Sequence, residues 1–211
     1  MEKRLVLLVA ILAVCMPLMA GAAPGKQAVL LIARGETTVQ DIGISGLRLM
    51  IQEEVMAMVH QLEEAGYAVV IASASGQKIK AGDIELNVDK KFADIDVQDY
   101  VGIVVPCMGE ADHAIPPKAV ELIRAAYARN IPIAAQQSGV ELLGAADILK
   151  GKKFAIASYL QSSIKEGQFV GTGVVEDGLI ITSGTCPYMA KNEGGKDGTV
   201  ELMKDFVELL R

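Results

Sequence analysis

Asn130 to Leu143, "NIPIAAQQSGVELL", decides the fold. Ile131 to Ala135 is a short apolar run of strand length. Val140, Leu143 and Ala146 then recur at helical spacing. Only Gln136, Gln137, Ser138 and Gly139 lie between them, so a buried strand turns directly into a helix. The same strand-then-helix unit repeats on both sides. "AVLLIA" at Ala28–Ala33 is a continuous apolar run, the mark of a strand covered on both faces. A helix follows through Ile51, Val55, Met58, Val59 and Leu62, with Gly66 as its stop. "AVVIAS" at Ala68–Ser73 and "VGIVVP" at Val101–Pro106 are further strands, and Ala119 to Tyr127 marks a second helix. "KFAIAS" at Lys153–Ser158 and "LIITS" at Leu179–Ser183 are late strands, and Gly198–Arg211 is a closing helix. The more polar Ser75–Asp99 reads as a small β excursion. Strands alternating with helices predict a mostly parallel sheet with helices on both faces, an α/β three-layer sandwich.

Composition agrees. Of 211 residues, 51% are apolar and only 4% aromatic, with no Trp, so the core is aliphatic. The length suits a single domain, here residues 23–211, after a separate N-terminal segment. Lys3 and Arg4 open that segment, Leu5–Cys15 is apolar, Pro17 breaks the run, and Ala20-Gly21-Ala22 offers small residues for cleavage. This is the layout of a signal peptide over 1–22, with cleavage after Ala22 and a periplasmic or secreted product. The alternative is an uncleaved anchor, since Leu5–Ala23 nearly spans a bilayer. With cleavage no stable membrane insertion is expected. Losing Glu2, Lys3 and Arg4 moves the net charge from −6 to −7. That acidity, without a basic patch, excludes nucleic acid as a natural partner.

In open α/β sheets, sites form beyond the carboxyl ends of the strands. Four segments should converge there: the turn after Ala33, "CMGEADH" after Pro106, "QQSG" after Ala135 and "GTCPYM" after Ser183. Cys107 and Cys186 remain after export, 79 positions apart. A disulfide between them would contribute up to about 4 kcal/mol in the chain-entropy model. Inert thiols and a relocated catalytic or redox cysteine are the competing readings. Two Cys and two His without ligand spacing give no metal site, and no cofactor motif is present.

Five segments together resemble the ThiJ/PfpI family, whose fold is flavodoxin-like and related to glutamine amidotransferases. They are "AVLLIARG", "LEEAGYAVVIAS", "DYVGIVVPCMG", "IPIAAQQSGVELLGAADILKGKKFAIAS" and "VVEDGLIITSG". The resemblance implies a nucleophilic Cys at the strand-to-helix turn, in a pattern like A-A-x-C-H-G. This chain has Ala134-Ala135-Gln136-Gln137-Ser138-Gly139, so Gln137 stands at the nucleophile position. Paired glycines after the central strand, which in the family face an oxyanion, are replaced by Pro106-Cys107-Met108-Gly109. A family carboxylate on the first helix falls on Glu54, with Glu53 as rival. About fourteen extra residues precede that helix, within "GETTVQDIGISGLRLM". The resemblance also implies a homodimer.

A carboxamide does not ionise near neutral pH and is a poor nucleophile; it offers two donors and one acceptor oxygen. Gln137 is therefore expected to donate to the Glu54 carboxylate rather than attack a substrate. The expected pocket comprises Glu54, Cys107, Met108, Gly109, Gln136, Gln137, Ser138, Gly139 and Cys186, holding a small polar ligand or a partner segment. Ser138 lacks the G-x-S-x-G context of a nucleophile elbow, and fits a tight turn by its size. His60 reads as a surface residue, while His113 follows the altered glycine loop. Glu36, Asp41, Glu110 and Asp112 read as solvated loop charges. The leading reading is a non-catalytic binding or interaction module. The alternatives are a hydrolase, amidase or glyoxalase-like enzyme with a displaced nucleophile (Cys107, Cys186 or Ser138), and a redox-responsive protein.

Overall fold

A computed structural model describes residues 27–33, 39–107 and 115–211, with only the backbone for 39–42. The signal-like segment, Glu36, Met108, Gly109, Glu110, Asp112, His113 and the Asp41 side chain lie outside the described residues.

The chain opens with strand β1 (Ala28–Ile32). A helical stretch follows in three parts: α1 (Val39–Leu49), a π-helical turn (Met50–Val55) and α2 (Met56–Glu64). Next come β2 (Ala68–Ser73), the short antiparallel pair β3 (Ile79–Ala81) and β4 (Ile84–Leu86), then β5 (Lys90–Lys91) and β6 (Tyr100–Val105). Helix α3 (Pro117–Tyr127) leads to β7 (Ile133–Gln136) and α4 (Val140–Ala145). The chain ends with β8 (Lys153–Phe154), β9 (Gln168–Phe169), β10 (Val174–Asp177), β11 (Ile180–Ser183), α5 (Pro187–Asn192) and α6 (Thr199–Leu209).

Among the described residues the main sheet runs β10-β11-β7-β6-β1-β2-β5. Each neighbouring pair is parallel except β10 with β11. Alternate residues of each strand feed opposite faces, as a pleat requires. Leu30, Ile32, Ile103, Val105, Ile133 and Ala135 pack with α3 and α4 in one core. Val29, Leu31, Val104 and Ala134 pack with the first helical stretch and with α6 in the other. The result is the flavodoxin-like three-layer α/β sandwich, with its aliphatic core split between two faces.

The extra residues before the first helix lengthen that helix from Val39, bent at Gly43 (φ +66, ψ 175) and carried through the π turn. One expectation changes: "KFAIAS" is not a strand of the main sheet. Only Lys153–Phe154 is extended, paired with β9 in a small separate sheet. The place beside β11 is taken by β10, folded back through a two-residue turn in which Gly178 adopts φ +68. The freed N–H of Ala155 donates instead to the Thr182 hydroxyl at 2.8 Å.

Candidate functional site

The order in which strands are added reverses between β1 and β6, and the carboxyl ends of β6, β7 and β11 lie side by side. Gln137 occupies the corner between β7 and α4 with φ +47. For a residue with a Cβ that left-handed backbone costs about 1–2 kcal/mol. The corner is pressed against the neighbouring strand end. A Cβ on Gly139 would lie 2.5 Å from the Val105 carbonyl oxygen and 2.8 Å from that of Pro106. Glycine is required there because backbone passes over backbone.

Gln137 is 3% exposed and its carboxamide is engaged at both ends. The Cys107 thiol donates to Oε1 at 2.6 Å, and the Ser138 backbone N–H donates to the same oxygen. Nε2 donates to the Tyr159 hydroxyl at 2.5 Å. Both lone pairs of the oxygen are thus used. The bond expected from Gln137 to Glu54 is not among these contacts; Cys107 stands between them. Its backbone N–H donates to Glu54 Oε1 at 2.8 Å, while its side chain reaches Gln137. The reason is steric order: the β6 loop, rather than the elbow tip, meets the first helical stretch.

Glu54 lies in the π turn and is fully buried, whereas Glu53 is exposed. A π turn widens the helix locally and is frequent at functional sites. The Glu54 side chain accepts that backbone amide in the dry interior, where a hydrogen bond is costly to leave unmade.

Ser138 is buried, and its hydroxyl donates to the Cys107 carbonyl at 2.7 Å. A carbonyl is no general base, so this geometry does not activate the hydroxyl. His60, the histidine among the described residues, stands on the surface beside Glu64 at 3.3 Å.

Cys186 caps α5 and packs with Cys107 and Met50 in a small apolar cluster. Both cysteines carry reduced thiols, 3% and 1% exposed. Hydrogen bonding to Cys107, then burial, pushes the Cys186 thiol far up, which disfavours its thiolate.

Gln136 does not join the pocket. Strand alternation turns it to the α6 side, where Nε2 donates to the Thr185 carbonyl (2.9 Å) and the Thr199 hydroxyl (3.0 Å). That hydroxyl donates in turn to Asp197 at 2.7 Å. Of the expected set, Glu54, Cys107, Gln137, Ser138, Gly139 and Cys186 therefore sit together, and Gln136 faces away.

Tyr159 was not foreseen. It follows β8 at the start of a 3-10 turn (Ser158–Ser163), with about half its surface exposed and its hydroxyl turned inward to Gln137 and the Met189 sulfur. Burial first, and then the neighbouring Cys107, pushes its phenol up to about 12. The available signal was an aromatic at the end of an apolar run in an aromatic-poor chain.

A cavity of about 230 Å³ opens nearby along α4, lined by Glu141, Asp147, Lys150, Lys165 and Glu166 among others. Its walls carry both charges, and neither Gln137 nor Cys107 lines it. Among the described residues, no group of three His, Cys, Asp or Glu is placed to hold a metal ion.

Comparison with known proteins places these features in context. The profile of the DJ-1/PfpI family matches residues 46–191. A deglycase of Thermococcus kodakarensis is 27% identical over 164 residues, covering 75% of this chain and 92% of the relative. A ThiJ/PfpI domain protein from Brachyspira murdochii superposes with a TM-score of 0.69 at 17% identity, covering 88% of this chain and 98% of the other. DJ-1beta of Drosophila melanogaster gives 0.61 at 19% identity, covering 86% and 98%. The last two likenesses concern the fold.

Proposed function

Because the chain belongs to the DJ-1/PfpI family, we propose that it is a member whose elbow has become a polar contact. On this reading the protein is an exported binding or interaction module, and its crevice takes a small polar ligand. The observation that carries the reading is the state of residue 137. It keeps the left-handed corner, but presents a buried carboxamide with both lone pairs of its oxygen occupied. No other side chain described around it supplies a ready nucleophile: Ser138 is bonded to a carbonyl, and both thiols are buried. Support for export comes from the "KR…LVLLVAILAVC…AGA" pattern of the N-terminus. A homodimer follows from the family resemblance.

The test pairs activity with binding. Wild-type protein is assayed for deglycase turnover beside the Thermococcus relative, then screened by thermal shift against small carboxylic acids and amides. The expected result is no multiple turnover, together with a saturable stabilisation by some of these compounds. Gln137→Cys, which restores a thiol at the corner, should gain iodoacetamide labelling over wild type. Multiple turnover by wild type that is abolished in Cys107→Ser would overturn the reading in favour of a displaced nucleophile.

A further inference from the structure

The binding reading gives the two thiols behind Gln137 no chemistry of their own. They come from loops at the carboxyl ends of β6 and β11, the two strands that flank β7. They share a cluster with Met50 that is separate from both main cores. Their side chains pack together there, close enough for each thiol to influence the other's ionisation. Residues 79 positions apart are thus packed into one dry cluster.

We propose that Cys107 and Cys186 are a disulfide-forming pair whose oxidation crosslinks the β6 and β11 loops beneath the elbow. This goes beyond the binding reading and stands without it. A disulfide needs its sulfurs about 2.05 Å apart and its Cβ atoms roughly 3.5–4.5 Å apart, a spacing that side chains of one packed cluster reach by local shifts. The oxidant is a low-molecular-weight disulfide. One cysteine loses its proton, and its sulfur attacks one sulfur of that disulfide. The incoming S–S bond breaks, and the departing thiolate takes up the proton. The second cysteine, likewise deprotonated, attacks the mixed disulfide, and a second small thiol leaves with that proton. Two protein thiols are oxidised to one disulfide, and one small disulfide is reduced to two thiols. Because both sulfurs are buried, the first attack waits for local opening of the loops, so the exchange is slow.

The crosslink has a consequence at the elbow. In the reduced protein the Cys107 S–H donates to Gln137 Oε1. A disulfide carries no such hydrogen, so Gln137 keeps only the Ser138 and Tyr159 contacts. The oxidation state is thereby read at the residue that stands in the family's nucleophile position.

The experiment equilibrates the full chain in mixtures of oxidised and reduced glutathione, quenches with acid, digests with trypsin and maps the linkages. The full chain is needed because Cys15 is a third cysteine that must be accounted for. Peptides spanning 92–118 and 166–191 should appear joined, lighter by two hydrogens than their sum, without a glutathione adduct. The joined form should melt about 8–15 °C above the reduced form. Cys186→Ser should show no such difference. Isotope-edited spectra should show the Gln137 side-chain amide shifting between the two forms. Full alkylation of both thiols at every glutathione ratio, glutathione adducts in place of the link, or pairing with Cys15 would each overturn the proposal. The mapping uses wild-type protein, so it decides the matter even if the serine variant fails to fold. Its failure would leave the binding reading untouched.

Discussion

Gln136 and Gln137 are identical, adjacent and both buried, yet they belong to different parts of the molecule. Gln136 is the last residue of β7, and its extended backbone (φ −122, ψ 132) sends the side chain to the α6 side. There it joins Thr185, Thr199 and Asp197, tying the sheet to the start of the last helix. Gln137 takes φ +47 one residue later, which swings the same side chain into the crevice between Cys107 and Tyr159. One amide holds the fold together, and the other closes the crevice at the strand-to-helix corner. The difference is set by a single backbone dihedral, which is fixed by how tightly the corner is packed.

That comparison can be broken most forcefully at Gly139. Gly139→Ala places a methyl group against two backbone carbonyls and should cost about 3 kcal/mol or more in urea denaturation. A change under about 1 kcal/mol would show that the corner is not locked against β6. Next in size is Gln136→Ala, which leaves the Thr185 carbonyl and Thr199 without their amide partner. About 2 kcal/mol is the expected loss by the same measurement.

Gln137→Gly should be milder, within about 1 kcal/mol of wild type. Relief of the left-handed backbone offsets the lost hydrogen bonds. If it proves as costly as Gln136→Ala, the two amides are structural equals and the distinction drawn here fails.

The smallest effect sharpens the Gln137 side alone. Tyr159 has a phenol pushed from 10.0 up to about 12, chiefly by burial. The folded protein therefore holds this proton more tightly than the unfolded chain does. Its contribution to stability is complete below about pH 10, and is lost as pH rises from there through about 12. The tyrosinate absorbance titration of wild type minus that of Tyr159→Phe should have its midpoint near 12. A midpoint near 10 would show that the hydroxyl is not held in the crevice.

Much of the architecture was legible along the chain because it rests on local pattern. "AVLLIA", "VGIVVP" and "IPIAA" are apolar without interruption, and such runs demand cover on both faces. The strand-to-helix corner was legible for the same reason, since four residues leave space for nothing else. Glu54 was named because the family resemblance implies a carboxylate on the first helix, and counting back from Gly66 along that helix reached it. The role of "KFAIAS" was misread because periodicity reports burial, while edge pairing depends on which other segment arrives there; here β10 does.

Composition and spacing alone were enough for the class of sheet and the corner, since each follows from residues a few places apart. The partners were another matter. That Cys107 would stand between Glu54 and Gln137, that Tyr159 would reach Gln137, and that Cys107 would meet Cys186 are contacts across 22 to 79 positions of chain. Such contacts arise when separate strand ends are brought to one edge of the sheet. No local rule carries their distances, because they depend on how every intervening element packs.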